Sequence, residues 1–445
     1  MIPATENTLS QNTHDEIQDR KELEALLLAG VSPFHTILHA VDFLKKQGFQ
    51  PLSLSGKWNL VPGQGYFIPV YGSTLVGFTV GRDVSPAAVP SLRLAASHTD
   101  WPCLMVKPDP EMTAGPYARL NVSVYGGPIL NTWLDRPLSL AGKVCLRSED
   151  PFQPTVRFIH VNRPLLTIPN LAIHFNRDVN KGMELNPQID MIPILSLLDE
   201  TLNRDHFFLH FLAGELKVQP EDILDYQCCL YNCDEPQLLG IRQELLSSPR
   251  LDNLTSVHAC LSGLASSIRE NGIRAAVLFD NEEIGNGTKQ GAASPLMERI
   301  LEKIYGSLGF GRTALLDALF DGFLLSLDVA HAFHPNKAGQ YDPVNRVSMG
   351  DGVALKLSVS QSYATDASCV SAIEALCDQE GIPCRKFSNR SDIRGGSTLG
   401  SVSSCLLNMK TVDAGVPILA MHSSRELMAW RDQHALASLT RAFLR

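Results

Sequence analysis

The chain has 445 residues, 44% of them apolar and 19% charged, with a formal net charge of -9 at pH 7. That length and apolar content are enough to bury a large core and more than one domain ordinarily holds, so two domains are expected. The acidic balance, with Lys and Arg scattered along the chain, argues against nucleic acid and anionic lipid as partners.

Residues 1–20 are polar and mixed in charge, without the basic flank and apolar centre of a secretory signal. No run approaches the roughly 20 apolar residues needed to span a bilayer. A soluble, cytoplasmic protein with no membrane contact is therefore expected. Cys103, Cys145, Cys260, Cys369, Cys377, Cys384 and Cys405 each stand alone in apolar stretches, which predicts buried free thiols. Cys228, Cys229 and Cys233 cluster, but without the fourth ligand of a structural zinc site.

Residues 15–30 carry Ile17, Leu23, Leu26 and Leu27 at helical spacing and end at Gly30, a helix stop. Short apolar runs then alternate with helical patterns. The runs are LRLAAS (92–97), RAAVLF (274–279), GFLLSL (322–327) and VPILAM (416–421), and helices are expected at 254–269, 293–305, 367–379 and 425–443. This alternation predicts an α/β fold, a mixed sheet with helices on both faces. Between them the texture changes to Gly/Pro-punctuated strand-like pieces (NVSVYGGP, SLAGKVCLR, TVRFIHV), with a helix near 205–215. The expected division is a discontinuous α/β domain of 1–106 and 234–445 and an inserted β-rich domain of 107–233.

Metal-competent side chains fall at the ends of the apolar runs. His98 and Asp100 follow the first, Glu282 and Glu283 the second, Asp328 the third and His422 the fourth. In open α/β sheets the ligand crevice lies beyond the carboxyl ends of the strands, so positions scattered in sequence can converge there. Asp252 precedes the helical pattern LTSVHACLSGL, where a carboxylate can cap the helix and also ligate. Two imidazoles and three carboxylates suit two zinc ions sharing one bridging carboxylate, for which Asp252 is placed. Neighbouring residues leaving a strand point in different directions, so one of Glu282 and Glu283 can ligate while the other acts as general base.

Taken singly, each residue has an ordinary explanation: a satisfied polar histidine, a solvated glutamate pair, a helix-capping aspartate. Their joint placement at element ends is what points to a metal centre. Rival motifs are weak. Gly285-x-Gly287 follows two glutamates that would repel a pyrophosphate, no HExxH is present, and 395–400 (GGSTLG) lacks the spacing of a nucleophile elbow. The glycines of that last segment are expected to let the backbone approach substrate.

Six ordered segments, SHTDWPC (97–103), RLDN (250–253), DNEEIG (280–285), SLDVAHAFHPN (326–336), RSDIRGGSTLG (390–400) and DAGVPILAMHSSRE (413–426), resemble the M18 metallo-aminopeptidases, the aspartyl aminopeptidase family. The resemblance runs from about residue 30 to the C-terminus. It implies a cytoplasmic peptide hydrolase that removes the N-terminal residue, with His98 and Asp328 on one zinc, Glu283 and His422 on a second, Asp252 bridging and Glu282 as base. Asp100 resembles the residue that orients the first ligand histidine. His331, Lys356 and Tyr363 match substrate-contacting positions. His174 resembles a histidine of the inserted domain, a dimerisation and lid domain, that reaches a neighbouring subunit's active site in a dimer-based homo-dodecamer.

The sequence also departs from that family. Asn281 stands where a histidine is common, and Asn286-Gly287 stands where the family carries Ser. Segment 337–350 lacks the usual Lys-His-Glu cluster, and Ser362 replaces the Arg before the tyrosine. These departures spare the metal chemistry. They leave open acidic N-termini (Asp or Glu), neutral or hydrophobic N-termini, and a catalytically silent scaffold.

Overall fold

The computed structural model describes residues 6–85, 87–199, 205–267, 270, 272–393 and 395–445, with side chains from His14 onward. Two compact units are formed, one of Met1–Asp100, Pro236–Met421 and Glu426–Arg445, the other of Trp101–Glu235 and His422–Arg425. Among the described residues the strands make three sheets, and no helix is long and apolar enough to cross a membrane.

The first unit is built on a nine-stranded mixed sheet. Ile273–Phe279, Leu92–His98, Phe323–Leu327 and Lys410–Gly415 lie side by side and parallel at its middle. Every residue of Ile273–Phe279 is buried, and Leu92–His98 exposes only Arg93. Parallel strands covered on both faces read as unbroken apolar runs, so these strands are legible without alternation. The expected α/β class, with a separate antiparallel sheet, is the architecture found.

Two expected elements differ. VPILAM does not enter the large sheet; Pro417–Leu419 pairs with Ala330–His331 and Glu426–Ala429 in a five-stranded sheet. The fourth central strand is instead Lys410–Gly415, whose buried Asp413 disguises it as a polar stretch. The helix expected over 425–443 starts only at Trp430, because Glu426–Ala429 pairs on both edges as a strand, tertiary pairing that overrides good local helix formers.

The helix Leu251–Ala265 is buried along nearly its whole length. It touches the C-terminal helix Trp430–Leu444 closely, since a Cβ on Gly263 would lie 2.9 Å from the Thr440 carbonyl oxygen. Gln433 spans the same contact, donating Nε2 to the Thr255 carbonyl at 2.9 Å. The N-terminal helix Glu6–Ala29 buries Leu23, Leu26 and Leu27. It is locked by Asp19, which accepts two bonds from Arg441 at 2.8 and 2.9 Å and one from His434 at 2.6 Å. Burial alone would raise the Asp19 carboxyl, but these donors hold it at about 2.

The second unit carries a six-stranded antiparallel sheet, in the order Thr155–His160, Leu138–Leu146, Ile223–Asn232, Cys103–Ala114, Tyr117–Tyr125, Ile194–Leu197. A Cβ on Gly142 would meet the Gln227 carbonyl oxygen at 2.2 Å, so that strand pairing requires glycine. A helix, Phe207–Leu216, lies where one was expected. Not all the solitary cysteines are buried. Cys405 is exposed on the helix Leu399–Leu407, and Cys145 and Cys384 are half-buried at the ends of strands.

Candidate functional site

Sheet register gathers the site. Phe279 pairs with His98, and Ser326 pairs with Ala96, so continuing the ladder by two residues sets Asp328 beside His98. Beyond Phe279 the chain turns through Asn281, at φ 66°, into a short 3-10 turn over Glu282–Ile284. Three carboxylate-bearing segments therefore leave one end of the sheet together.

Asp100, almost fully buried, fixes their orientation. Its Oδ1 accepts the Glu282 N–H and its Oδ2 the Glu283 N–H, both at 3.1 Å. The same Oδ1 lies 3.4 Å from His98 Nδ1, which donates to the Asp100 carbonyl oxygen at 3.0 Å. One carboxylate thus holds a turn that has unsatisfied amides and sets the ring of a histidine.

With Nδ1 engaged, His98 presents Nε2 to two carboxylates. Asp252 Oδ1 and Asp328 Oδ1 each lie 3.5 Å from it. Ligand atoms of His98, Asp252 and Glu283 all fall within 4.8 Å of one another. Arg250, two residues before Asp252, is in an αL conformation, and Asp252 joins Asn253 through a cis peptide. Asp252 and Asn253 lie outside helical φ/ψ at a kink there, so the helix does not fix their backbone. That backbone is held instead, with the Asp252 N–H donating to Glu426 Oε2 at 3.0 Å and Asn253 Nδ2 donating to the Leu327 carbonyl at 2.9 Å.

The electrostatics follow from burying acids side by side. Desolvation pushes Glu282 up to about 7, helped by Asp328, Asp100 and Asp252 and opposed by His98. Burial likewise lifts Asp280 to about 6, with the Asp100 charge adding to it. Burial by itself would lower His98, yet Asp100 and Asp328 raise it well above the usual imidazole range. Asp328 is driven below the carboxylate range against its own burial, chiefly by Lys356 and His98.

Lys356 is buried, donating Nζ to the Val329 carbonyl at 3.1 Å and to Asp328 Oδ2 at 3.5 Å, over the ring of Tyr363 at 5.2 Å. Tyr363 is itself buried, in a small cluster with Ala330, Val347, Ala354 and Phe387. His331 packs on Phe387 at 6.2 Å and lines a cavity of about 380 Å³ with Tyr341, Asp342, Asn389 and Arg390. In the second unit, His174 sits on an exposed turn, and His422, at φ 68°, donates Nδ1 to the Gly127 carbonyl at 3.0 Å.

Sequence reasoning missed Glu426 and Asp413. Both are buried, and both accept from backbone amides far along the chain, at Asp252 and Ala364. It also misread Gly400. A Cβ there would lie 2.4 Å from Asp413 Oδ1 and 2.6 Å from Ser326 Oγ, so that glycine serves packing within the fold.

The donor set fits zinc. Two ligand atoms on one tetrahedral zinc are about 3.3 Å apart, given bonds of about 2.0–2.1 Å. The 3.5 Å separations around His98 Nε2 match that spacing, and imidazole with carboxylates is zinc chemistry.

Comparison with known proteins bears on this geometry. The family model "Aminopeptidase I zinc metalloprotease (M18)" matches residues 26–444. A "Probable M18 family aminopeptidase 2" of Clostridium novyi (strain NT) is 44% identical over 404 residues, covering 90% of this chain and 93% of the relative. A chain in the cryo-EM structure of the Ape4 and Nbr1 complex superposes with a TM-score of 0.92 at 30% identity, covering 96% of this chain and 86% of its own. The S. cerevisiae mApe1 dodecamer gives a TM-score of 0.83 at 22% identity, with 97% of each chain covered, a likeness of fold alone. On the extent of the family match and the identity to its curated relatives, this chain belongs to the M18 family of zinc metallo-aminopeptidases, exopeptidases that hydrolyse peptides.

Proposed function

We propose that the chain is a two-zinc aminopeptidase acting on acidic N-termini, with His98 and Asp328 holding one ion, Glu283 and His422 the other, and Asp252 shared. The observation that supports this reading is the convergence of the buried His98 and Asp252 with the half-buried Asp328 and Glu283. Asp252 shares both groupings with His98, and of the two only the carboxylate has two oxygens with which to bridge a pair of ions. His422 rests on the family resemblance and on its ring, whose Nδ1 is held by Gly127 so that Nε2 is the ligating nitrogen.

Zinc, when bound, supplies the Lewis acid that acidifies water and polarises the scissile carbonyl. The chain's own residues do the rest. Asp100 holds Glu282 in place through its backbone amide. Glu282 takes a proton from the attacking water and returns it to the leaving amine, a task suited to a carboxyl whose ordinary acidity is blunted by burial. Glu282→Gln is expected to keep its zinc and lose about a hundredfold to ten-thousandfold in kcat. Near-normal turnover on aspartyl substrates, with full zinc content, would eliminate Glu282 as the base.

Metal binding is expected to release protons. In the metal-free protein His98 is held protonated and Glu282 is lifted to about 7. Ligation requires neutral imidazole, so apparent zinc affinity falls as pH drops, by roughly tenfold per pH unit for each proton displaced. Competition with a chromophoric chelator between about pH 8 and pH 6 measures this slope. A flat profile would contradict the protonation described.

Lys356 favours a second reading of specificity. Its ammonium is already committed to Asp328 and the Val329 carbonyl, which weakens the case for a cation devoted to an acidic substrate side chain. The same chemistry on neutral or hydrophobic N-termini follows if that commitment holds. Initial rates on Asp-, Glu- and Leu-aminoacyl reporters separate the two, and a Leu rate well above the Asp rate rejects the acidic preference.

We also infer a dimer-based homo-dodecamer to which His174 contributes between subunits. Its turn exposes Leu171, Ile173 and Phe175, an apolar run that suits burial against a second copy. Light scattering is expected to give the mass of a dodecamer, and His174→Ala to lower kcat without lowering zinc content. A monomer with full activity would remove both statements.

A further inference from the structure

Asp252 and Asn253 stand at the start of the buried helix Leu251–Ala265 with non-helical φ and ψ. An amide at a helix start has no intrahelical acceptor, so another group must take it up. Two side-chain hydrogen bonds hold this dipeptide, both within the first unit. The first comes from Glu426. The strand Glu426–Ala429 pairs Glu426 with Ser248, and the chain turns through Pro249 and Arg250, at φ 64°, before reaching Asp252. The Asp252 N–H then donates to Glu426 Oε2 at 3.0 Å. Glu426 is only 3% exposed, a costly place for a carboxylate. Apolar packing would serve stability there as well or better, so the acid points to a task at the site.

The second bond is made by Asn253, which is fully buried. Its Nδ2 donates to the Leu327 carbonyl at 2.9 Å, and the N–H of the same peptide unit, that of Asp328, donates to the Ala414 carbonyl at 2.9 Å. The Leu327–Asp328 peptide is thereby pinned at both of its polar atoms. Asp252 and Asp328 each bring Oδ1 to 3.5 Å from His98 Nε2. Asn253 therefore ties the backbone of one of these acids to the backbone of the other.

We propose that Glu426 and Asn253 are positioning residues that clamp the backbone of Asp252 at two points, so that its carboxylate is set for zinc before the ion arrives. The clamp acts only if Asp252 is a zinc ligand, the reading proposed above. Glu426 works through the N–H of Asp252, and Asn253 through the carbonyl that precedes Asp328. A ligand already held in place loses less freedom when the ion binds. Partners that hold metal ligands are worth about tenfold to a hundredfold in metal affinity.

The zinc-loaded full chain is titrated with a chromophoric chelator at one pH, and melting temperatures are measured alongside. Glu426→Ala is expected to hold zinc about tenfold to a hundredfold more weakly than wild type. Glu426→Gln, whose amide oxygen accepts the same N–H, is expected to stay close to wild type. Asn253→Ala opens the other point of the clamp and is expected to weaken zinc as Glu426→Ala does, which decides the matter should Glu426→Ala fail to fold. Wild-type zinc affinity in either alanine variant overturns the clamp, even where the melting temperature falls, since a merely structural role would lower melting and leave the chelator titration unmoved. A Glu426→Gln protein as weak as Glu426→Ala also overturns it, because the effect would then belong to the charge and not to the hydrogen bond. Asp252→Asn is the reference: if it holds zinc as wild type does, Asp252 is no ligand and the clamp falls with that reading.

Discussion

The first unit depends on one unfavourable fact made tolerable: the buried Asp100 and Asp252 and the half-buried Glu282 and Asp328 are packed around a single imidazole. A buried carboxylate without compensation costs several kcal/mol, and four carboxylates close together repel as well. Each is answered differently. Asp100 is neutralised by backbone amides and His98, Asp328 by Lys356, Glu282 has its acidity weakened by burial, and Asp252 sits against His98. This is the arrangement of a protein that expects a cation, since a divalent ion among these oxygens turns mutual repulsion into ligation.

The surrounding backbone is shaped to the same end. A Cβ on Gly415 would lie 1.8 Å from the Asp328 carbonyl oxygen, so the neighbouring strand can lie alongside Asp328 only as glycine. Asp413, fully buried on that strand, accepts the Ala364 N–H at 2.6 Å and the Thr398 hydroxyl at 2.6 Å, and Gly400 leaves room for its carboxylate. These groups touch no proposed zinc ligand directly through a metal-binding atom. They fix the walls within which Asp328 and Lys356 meet, and strain introduced there would be transmitted through a close-packed interior.

What the sequence discloses is set by locality. The strands Leu92–His98, Ile273–Phe279 and Phe323–Leu327 are legible because each is a short unbroken apolar run, and their terminal His and acidic residues are legible because they come next. Lys410–Gly415 is hidden by Asp413, a charge whose burial is repaid only by residues far along the chain. VPILAM looks like the fourth central strand because sequence patterns record burial and not which sheet does the burying. Glu426 escapes for the same reason, since its partner is the backbone of Asp252 and no spacing relates the two.

Lys356 illustrates how a residue matched to one role takes on two. At 3.5 Å from Asp328 in a buried setting, its charge is held by an attraction of several kcal/mol, and an acidic substrate side chain must compete with that. The competition is not fixed. A cation held by Asp328 would draw the carboxylate's charge away from Lys356, leaving the ammonium with the Val329 carbonyl, the face of Tyr363 and the charge of the buried Asp413. The attraction of Lys356 for an acid is therefore weakest in the metal-free site and strongest once the carboxylates are engaged. On the proposed reading, in which Lys356 faces the substrate, selectivity for the N-terminal residue and occupancy of the metal centre would be coupled through that buried ammonium.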